Sequence, residues 1–260
     1  LFPGTDAGPA PLAVAIVGSM STLPLARRER HDLCDLALVL GPDAPTLCEG
    51  WQSRELVCHL LVRETRPLGA AGLVVPALSG LTERSMARMA RHDFAVLVER
   101  LRDPGLTPYA LPPVERLLNT AEYFVHHEDL RRGQPDWRPR ELAPDDEDRL
   151  WTIARTMGRL QVRRAGVAVR LAAPRDGGHH AHSADLGGRG EPVVVTGRPS
   201  ELLLFLFGRA QLHDVLALVV DVAAVERDEP GVALPLGVGR HAARPYLQPA
   251  HHGAQRPVPV

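Results

Sequence analysis

Apolar side chains recur every three to four residues through much of the first two-thirds of the chain, and this spacing predicts amphipathic helices. The predicted helices are Pro24 to Leu40, Ser53 to about Arg66, Leu81 to Ala90, Asp93 to Leu101 and Pro112 to Gly133. Proline and glycine occur at several of these boundaries, where they end helices. Four or so such helices, joined by short or medium loops, favour an antiparallel bundle.

The pattern changes after Gly133. The predicted elements there are a linker over 134–144, a helix from Asp145 to Arg164, strands at Val167 to Leu171 and Pro192 to Thr196, and an apolar helix from Ser200 to Arg209. We therefore expect a mainly α protein, with a helical bundle over 20–133 on which the 145–164 helix can pack. The remaining elements form a small α/β domain within 134–226.

The two ends of the chain carry less structural information. Residues 1–19 are interpreted as an N-terminal extension, because Met20 is followed by Ser and Thr and is a natural start of translation. Residues 227–260 are rich in Pro, His, Gly and Arg without periodicity, so a disordered tail is predicted.

Glu122 and His126 are the most informative polar pair. Four residues apart on one helix, they are separated by only about 40° around its axis. They flank an apolar stripe made by Val114, Leu117, Leu118, Ala121 and Val125. The stripe predicts that both side chains face the interior. Burying an ionised Glu there costs roughly several kcal/mol unless another group pairs with it. A divalent metal ion suits both residues.

His59, inside the apolar segment Glu55 to Val62, is the third candidate ligand. Two His and one Glu leave a coordination position of zinc open, as in catalytic sites. The alternatives are a satisfied core histidine and a chance Glu/His pair. His127 lies roughly 140° from Glu122, so helical phase predicts that it points outward, with Glu128 and the Arg131-Arg132 pair.

Charge and composition narrow the possible partners. The net charge is -1 and the pI about 6.9, so neither nucleic-acid nor anionic-membrane binding is indicated. No apolar run is long enough to cross a bilayer. All 30 basic residues are Arg, which is typical of a GC-rich genome.

Three cysteines, Cys34, Cys48 and Cys58, are odd in number and lack C-x-x-C spacing. Together with the lack of a convincing secretory signal, this favours reduced thiols in the cytoplasm. Cys48 is the one expected closest to the site, but none of the three is predicted to bind the metal.

Two segments resemble a known family. Thr46 to Trp51 (TLCEGW), followed by Arg54-Glu55-Leu56 and His59-Leu60, is similar to the second-helix signature of mycothiol-dependent maleylpyruvate isomerase N-terminal domains. Val125 to Asp129 (VHHED) resembles the fourth-helix signature. These proteins are DinB-like metal-binding four-helix bundles. The resemblance covers about Leu23 to Arg209 and is strongest to an actinobacterial branch described only as metal-binding proteins.

The resemblance implies a DinB-like antiparallel four-helix bundle followed by a small α/β domain. It also implies a divalent metal, usually zinc, on His59, Glu122 and His126, working with mycothiol. The family's C-terminal domain supplies an Arg implicated in activity, which Arg209 matches. The alternative for Arg209 is a helix C-terminal residue that complements the dipole.

Two classes of function follow. The first is a zinc- and mycothiol-dependent thiol transferase or isomerase acting on a small substrate in the cytoplasm, with an Arg that orients a carboxylate. The second is a metal-binding or interaction module without turnover. Hydrolysis would also require a general base, which nothing in the sequence names, and Asp129 is instead a candidate carboxylate behind a ligand. A pocket and an Arg facing the open position favour the enzyme, whereas a metal enclosed by packed side chains favours the module.

Overall fold

The structure is a computed structural model that describes residues 23–66, 76–162, 167–175 and 181–219. The described chain is mainly helical and carries a small sheet. The predicted extension 1–19 and tail 227–260 lie outside the described residues. No helix among the described ranges is long and apolar enough to cross a membrane.

The first half of the chain forms the helices predicted from its periodicity. They are α1 (Leu25–Leu40), α2 (Ser53–Thr65), α3 (Ser79–Met89), α4 (Phe94–Arg102) and α5 (Thr120–Arg132), with 3-10 turns at Pro76–Leu78 and Pro108–Ala110. α1 packs against α4 and α5, and α2 packs against α3 and α4. Their inward faces form one apolar core that includes Leu33, Leu56, Leu60, Leu97 and Tyr123.

A π-helical turn, Glu115–Asn119, lies between a single α-turn at Pro112–Val114 and α5. The backbone N–H of Thr120 donates to the carbonyl of Glu115, which is the i→i+5 bond of a π-helix. The extra residue rotates the preceding side chains around the axis. Leu118, predicted in the apolar stripe, is therefore 38 % exposed, while Asn119 is buried, so the prediction for Leu118 was wrong.

The second half begins with α6 (Pro144–Val162). It continues with β1 (Val169–Ala173), β2 (His182–Gly187), β3 (Val193–Thr196), α7 (Pro199–Leu206) and β4 (Leu216–Val219). The sheet order is β2-β1-β3-β4, with β1 and β3 parallel and the other neighbours antiparallel. The predicted strands correspond to β1 and β3. β2 was missed because its sequence, HSADLG, is half-exposed at the sheet edge and has little apolar content.

The α/β elements share a core with the helices. Ala121, Phe124 and Val125 of α5 pack in one apolar cluster with Leu150 of α6 and Leu202 of α7. α6 lies against α7 and β2. One face of α5 therefore supports the α/β elements while the same helix carries Glu122 and His126.

Candidate metal centre

Three candidate ligands predicted from the sequence come together between α2 and α5. Oε2 of Glu122 lies 3.5 Å from Nε2 of His126 and 3.9 Å from Nε2 of His59. One ligand atom from each residue lies within 4.8 Å of the others, and all three residues are buried. Two ligand atoms, each about 2.1 Å from a tetrahedral zinc ion, lie about 3.4 Å apart. The spacing around Glu122 is close to this value.

The donors in this cluster lack other partners. Both ring nitrogens of His59 and Oε2 of Glu122 are buried without a hydrogen-bond partner. Buried polar atoms in native proteins nearly always have a partner, because leaving one unpaired costs about 1–3 kcal/mol. A divalent cation would satisfy Oε2 of Glu122 and one ring nitrogen of His59 at once, so the donor set fits a metal.

The ionisation of two of the donors also suits a cation. Burial alone would raise the pKa of Glu122, but the charge of Arg63 and the nearby imidazoles of the two histidines hold that pKa well below its ordinary value. Burial lowers the pKa of His59, although the nearby carboxylate of Glu122 opposes this. Glu122 is therefore a carboxylate and His59 a neutral imidazole, the forms that bind metal ions.

The Nδ1 side of the His126 ring, opposite the candidate ligands, is occupied by hydrogen-bonding partners. Nδ1 of His126 lies 2.9 Å from Oδ2 of Asp129, which is fully buried. Since a carboxylate only accepts, Nδ1 is the donor. The contact directs the free Nε2 towards Glu122 and His59. Burial lowers the pKa of His126, but hydrogen bonds led by the one to Asp129 outweigh it and raise that pKa well above its ordinary value.

Arg209 holds Asp129 from behind. Its Nε donates to Oδ1 of Asp129 (2.6 Å) and its Nη2 to Oδ2 (2.5 Å), while Nη1 donates to the carbonyl of Phe207 (2.6 Å). Burial would raise the pKa of Asp129, but the charge of Arg209 holds it far below its ordinary value. The guanidinium meets Asp129 rather than the three candidate ligands. This geometry favours a positioning role over the predicted catalytic one.

The loop before α2 brings Cys48 to the Nδ1 side of His126. Gly133 allows the loop to approach, since a Cβ there would lie 2.4 Å from the carbonyl oxygen of Pro45. The backbone N–H of Leu47 donates to the carbonyl of Asp129 (3.0 Å). Sγ of Cys48 then lies 3.2 Å from Oδ2 of Asp129.

Cys48, His126 and Asp129 form a second group with the spacing of metal ligands, but Arg209 already neutralises this carboxylate. The other two thiols belong to neither group of candidate ligands. Cys34 donates to the carbonyl of Val98, and burial raises the pKa of both Cys34 and Cys58 to about 12.

His127 does not point outward as helical phase predicted. It is buried, and its Nδ1 lies 2.8 Å from Oε2 of Glu29 on α1. Arg140 donates to the same oxygen (2.6 Å) and, through Nε, to Glu128 (2.8 Å). The phase relative to Glu122 was correct, but α1 and the linker cover the face of α5 that was expected to be solvated. Glu128 is buried for the same reason.

Two residues near the candidate ligands were not singled out from the sequence. Arg63 follows His59 by four residues on α2, the same spacing as Glu122 and His126, and that repeat could have identified it. The ring of Trp51 lies 4.9 Å from that of His59.

A pocket of about 320 Å³ lies beside Trp51. Its lining includes Trp51, Glu55, Cys58, Glu83 and Met86 but none of the three candidate ligands. Because Trp51 contacts His59 and also lines the pocket, it lies between the pocket and the candidate metal centre.

Comparisons of the chain with protein-family models, with curated proteins and with solved structures find no match. The family resemblance described for the sequence therefore stays a prediction. The geometry and burial of the donor atoms carry the argument for the site.

Proposed function

We propose that this protein binds a divalent metal ion through His59, Glu122 and His126. Zinc is the candidate ion, because it is commonly bound by histidine and carboxylate ligands. One observation carries the proposal: the three buried side chains converge, and three of their polar atoms have no other partner. A histidine and carboxylate set of this kind leaves a coordination position for a small molecule. The proposal includes the DinB-like four-helix arrangement, which is supported by the packing of α1 against α4 and α5 and of α2 against α4.

Within this proposal the protein is a thiol-dependent transferase or isomerase, with mycothiol as the candidate thiol and a small molecule as substrate. Zinc would supply a Lewis acid that lowers the pKa of a thiol. Asp129 and Arg209 hold His126 so that its Nε2 lies beside Glu122, where it would bind the ion. Trp51 packs on His59 and limits how far its ring can turn.

A metal-binding module without turnover is the second candidate. The observation that favours it is the burial of all three ligands, together with a neighbouring pocket that none of them lines. Metal-loaded protein whose melting temperature does not change with mycothiol would support this second candidate. A rise of several degrees with mycothiol would support the enzyme, because a ligand that binds only the folded state stabilises it.

Metal analysis tests the proposal itself. The chain, purified without a histidine tag and dialysed against zinc, should retain about one equivalent by mass spectrometry. His59→Ala and Glu122→Gln should retain almost none. His92→Ala is the matched control, because His92 is exposed on the turn before α4 and is not one of the proposed ligands. Equal zinc content in the wild type and in all three variants would refute the site.

A further inference from the structure

Arg63 is the arginine that lies beside the candidate metal centre. It is 5 % exposed, and its guanidinium stacks over the ring of Tyr109 at 4.1 Å. Its Nη1 donates to Oδ1 of Asn119 (2.7 Å). Its Nε lies 3.8 Å from Oε2 of Glu122, the same oxygen that faces the two histidines.

Arg63 and Arg209, two of the buried arginines among the described residues, differ in how many N–H donors they have left. Arg209 directs all three of its nitrogens to Asp129 and the carbonyl of Phe207. Arg63 makes one hydrogen bond among the described residues, to Asn119, and a guanidinium has five N–H donors. By the same count Arg209 uses at least three of its five N–H donors, so Arg63 has more donors left for a further ligand than Arg209.

The charges around a bound divalent ion would not cancel. Glu122 contributes one negative charge, and the two histidines contribute none when they bind the ion as neutral imidazoles. Asp129 and Arg209 neutralise each other in a bidentate pair. Arg63 adds a positive charge, so the ion and Arg63 together exceed the carboxylate by about two charges. An excess of this kind is costly in a buried site unless an anion enters it.

We propose that Arg63 makes the open position of this metal site selective for an anion, a thiolate or a carboxylate, by offering it a guanidinium beside the ion. The inference rests on the metal site of the proposed function. It assigns the contact with the ligand to Arg63, whereas the sequence resemblance pointed to Arg209 as the Arg implicated in activity. Tyr109 and Asn119 hold the guanidinium in place by stacking and by the hydrogen bond to Nη1.

Cobalt(II) in place of zinc makes the test spectroscopic. The full chain is loaded with cobalt, and sodium azide, a small anion, is titrated while the visible absorption bands of the ion are followed. Arg63→Met should weaken azide binding about tenfold or more, because it removes a charge close to the site. Arg63→Lys keeps the charge and should stay within a few-fold of the wild type. Neither variant should reduce cobalt content, since Arg63 is not a ligand.

Arg66→Met is the matched control on the same helix. Arg66 is exposed at the end of α2, where its charge is screened by salt, so azide affinity should not change. Equal weakening in Arg66→Met and Arg63→Met would overturn the inference. So would an unchanged azide affinity in Arg63→Met, or equal weakening in the Met and Lys variants.

A second variant decides the question if Arg63→Met does not fold. Asn119→Asp pairs Arg63 with a carboxylate, which cancels its charge, and it also removes the hydrogen bond that Nδ2 of Asn119 donates to the carbonyl of Tyr109 (3.1 Å). Azide binding should weaken about tenfold here too, and unchanged binding would overturn the inference. Failure of the wild-type chain to bind cobalt at all would instead refute the proposed function, so the two failures are distinguishable.

Discussion

His126 and His127 are adjacent on α5 and both are buried, yet their surroundings differ. His127 lies against Glu29, and Arg140 binds the same carboxylate, so this cluster on the α1 side is closed by its own charges. His126 is held at Nδ1 by Asp129, while its Nε2 faces Glu122 Oε2 and the ring of His59. Burial of a histidine is therefore no sign of function by itself. The informative difference is whether the neighbouring polar atoms are satisfied.

The largest expected effect separates the two histidines directly. His126→Ala should abolish stoichiometric zinc, because only His126 faces Glu122 and His59, whereas His127→Ala should retain it. The measurement is zinc content after dialysis, together with the rise in melting temperature on adding zinc. Free zinc at about 1,000 times its dissociation constant stabilises the folded state by about 4 kcal/mol. Of the two variants, only His126→Ala should lack this stabilisation.

His127→Ala is itself destabilising, since it removes a partner from the buried carboxylate of Glu29. Zinc content must therefore be compared on folded protein, as judged by circular dichroism. Equal loss of zinc in the two folded variants would show that the metal site was assigned to the wrong histidine.

A smaller effect is expected from the residue behind His126. Asp129→Asn keeps the size of the side chain but weakens its pairing with Arg209 and its acceptance from Nδ1. Zinc affinity should fall about 10–100-fold, the usual cost of losing a carboxylate that orients a ligand histidine. Competition with a chromophoric chelator measures this. Glu128→Gln is the matched change, because Glu128 pairs with Arg140 on the α1 side of α5. It should leave zinc affinity within a few-fold. An equal loss of affinity in the two variants would argue against a specific role for Asp129.

The closed cluster predicts a dependence of stability on pH. Burial would raise the pKa of Glu29, but His127 and Arg140 lower it below its ordinary value of 4.5. Its contribution to stability is therefore complete above the unfolded pKa and is lost as pH falls through the lower, folded pKa. Denaturation in urea should show this loss below about pH 4.5.

Glu29→Gln isolates that contribution. Its stability should fall less steeply with decreasing pH, by at most about 1.4 kcal/mol per pH unit, because one titrating proton has been removed. The groups that face Glu29 are His127, Arg140 and Asp32. A slope identical to that of the wild type would show that Glu29 does not titrate with unfolding.

The smallest expected effect concerns the thiols. A variant with Cys34, Cys48 and Cys58 all changed to Ala should keep its zinc, because none of them is one of the three proposed ligands. Cys48 touches Asp129 rather than the open side of His126, so a modest change in affinity is the most that its loss should cause. Loss of all zinc from the folded triple variant would show that a cysteine thiolate is a ligand, and the proposed open coordination position would then be occupied by the protein.

The helices themselves could be predicted from the local spacing of apolar residues. The spacing that predicts α1, α2 and α5 also predicts that Glu122 and His126 share a face, because residues four apart on a helix are neighbours whatever surrounds them. His59 was selected because it is a lone imidazole in an apolar run. The structure brings all three together. Metal binding by the three residues stays a prediction from the sequence, and it is part of the proposed function.

Other features depended on contacts that no local pattern encodes. The π-helical turn changes the phase at Leu118, and it depends on how the segment packs rather than on its apolar spacing. His127 is buried because α1 and the linker cover it. Arg209 reaches Asp129 across 80 positions of the chain, and Arg63 reaches Asn119 across 56.

Sequence alone determined the helical periodicity and the shared face of Glu122 and His126. Tertiary structure decided which polar atoms are satisfied and which are not. The physical reason is that periodicity follows from backbone geometry within one helix, whereas pairing of a buried charge depends on which distant side chain packing brings within hydrogen-bonding distance. His126 and His127 are chemically identical neighbours, but they face different partners: His126 lies against Asp129 and Glu122 on α5 itself, and His127 lies against Glu29 on α1.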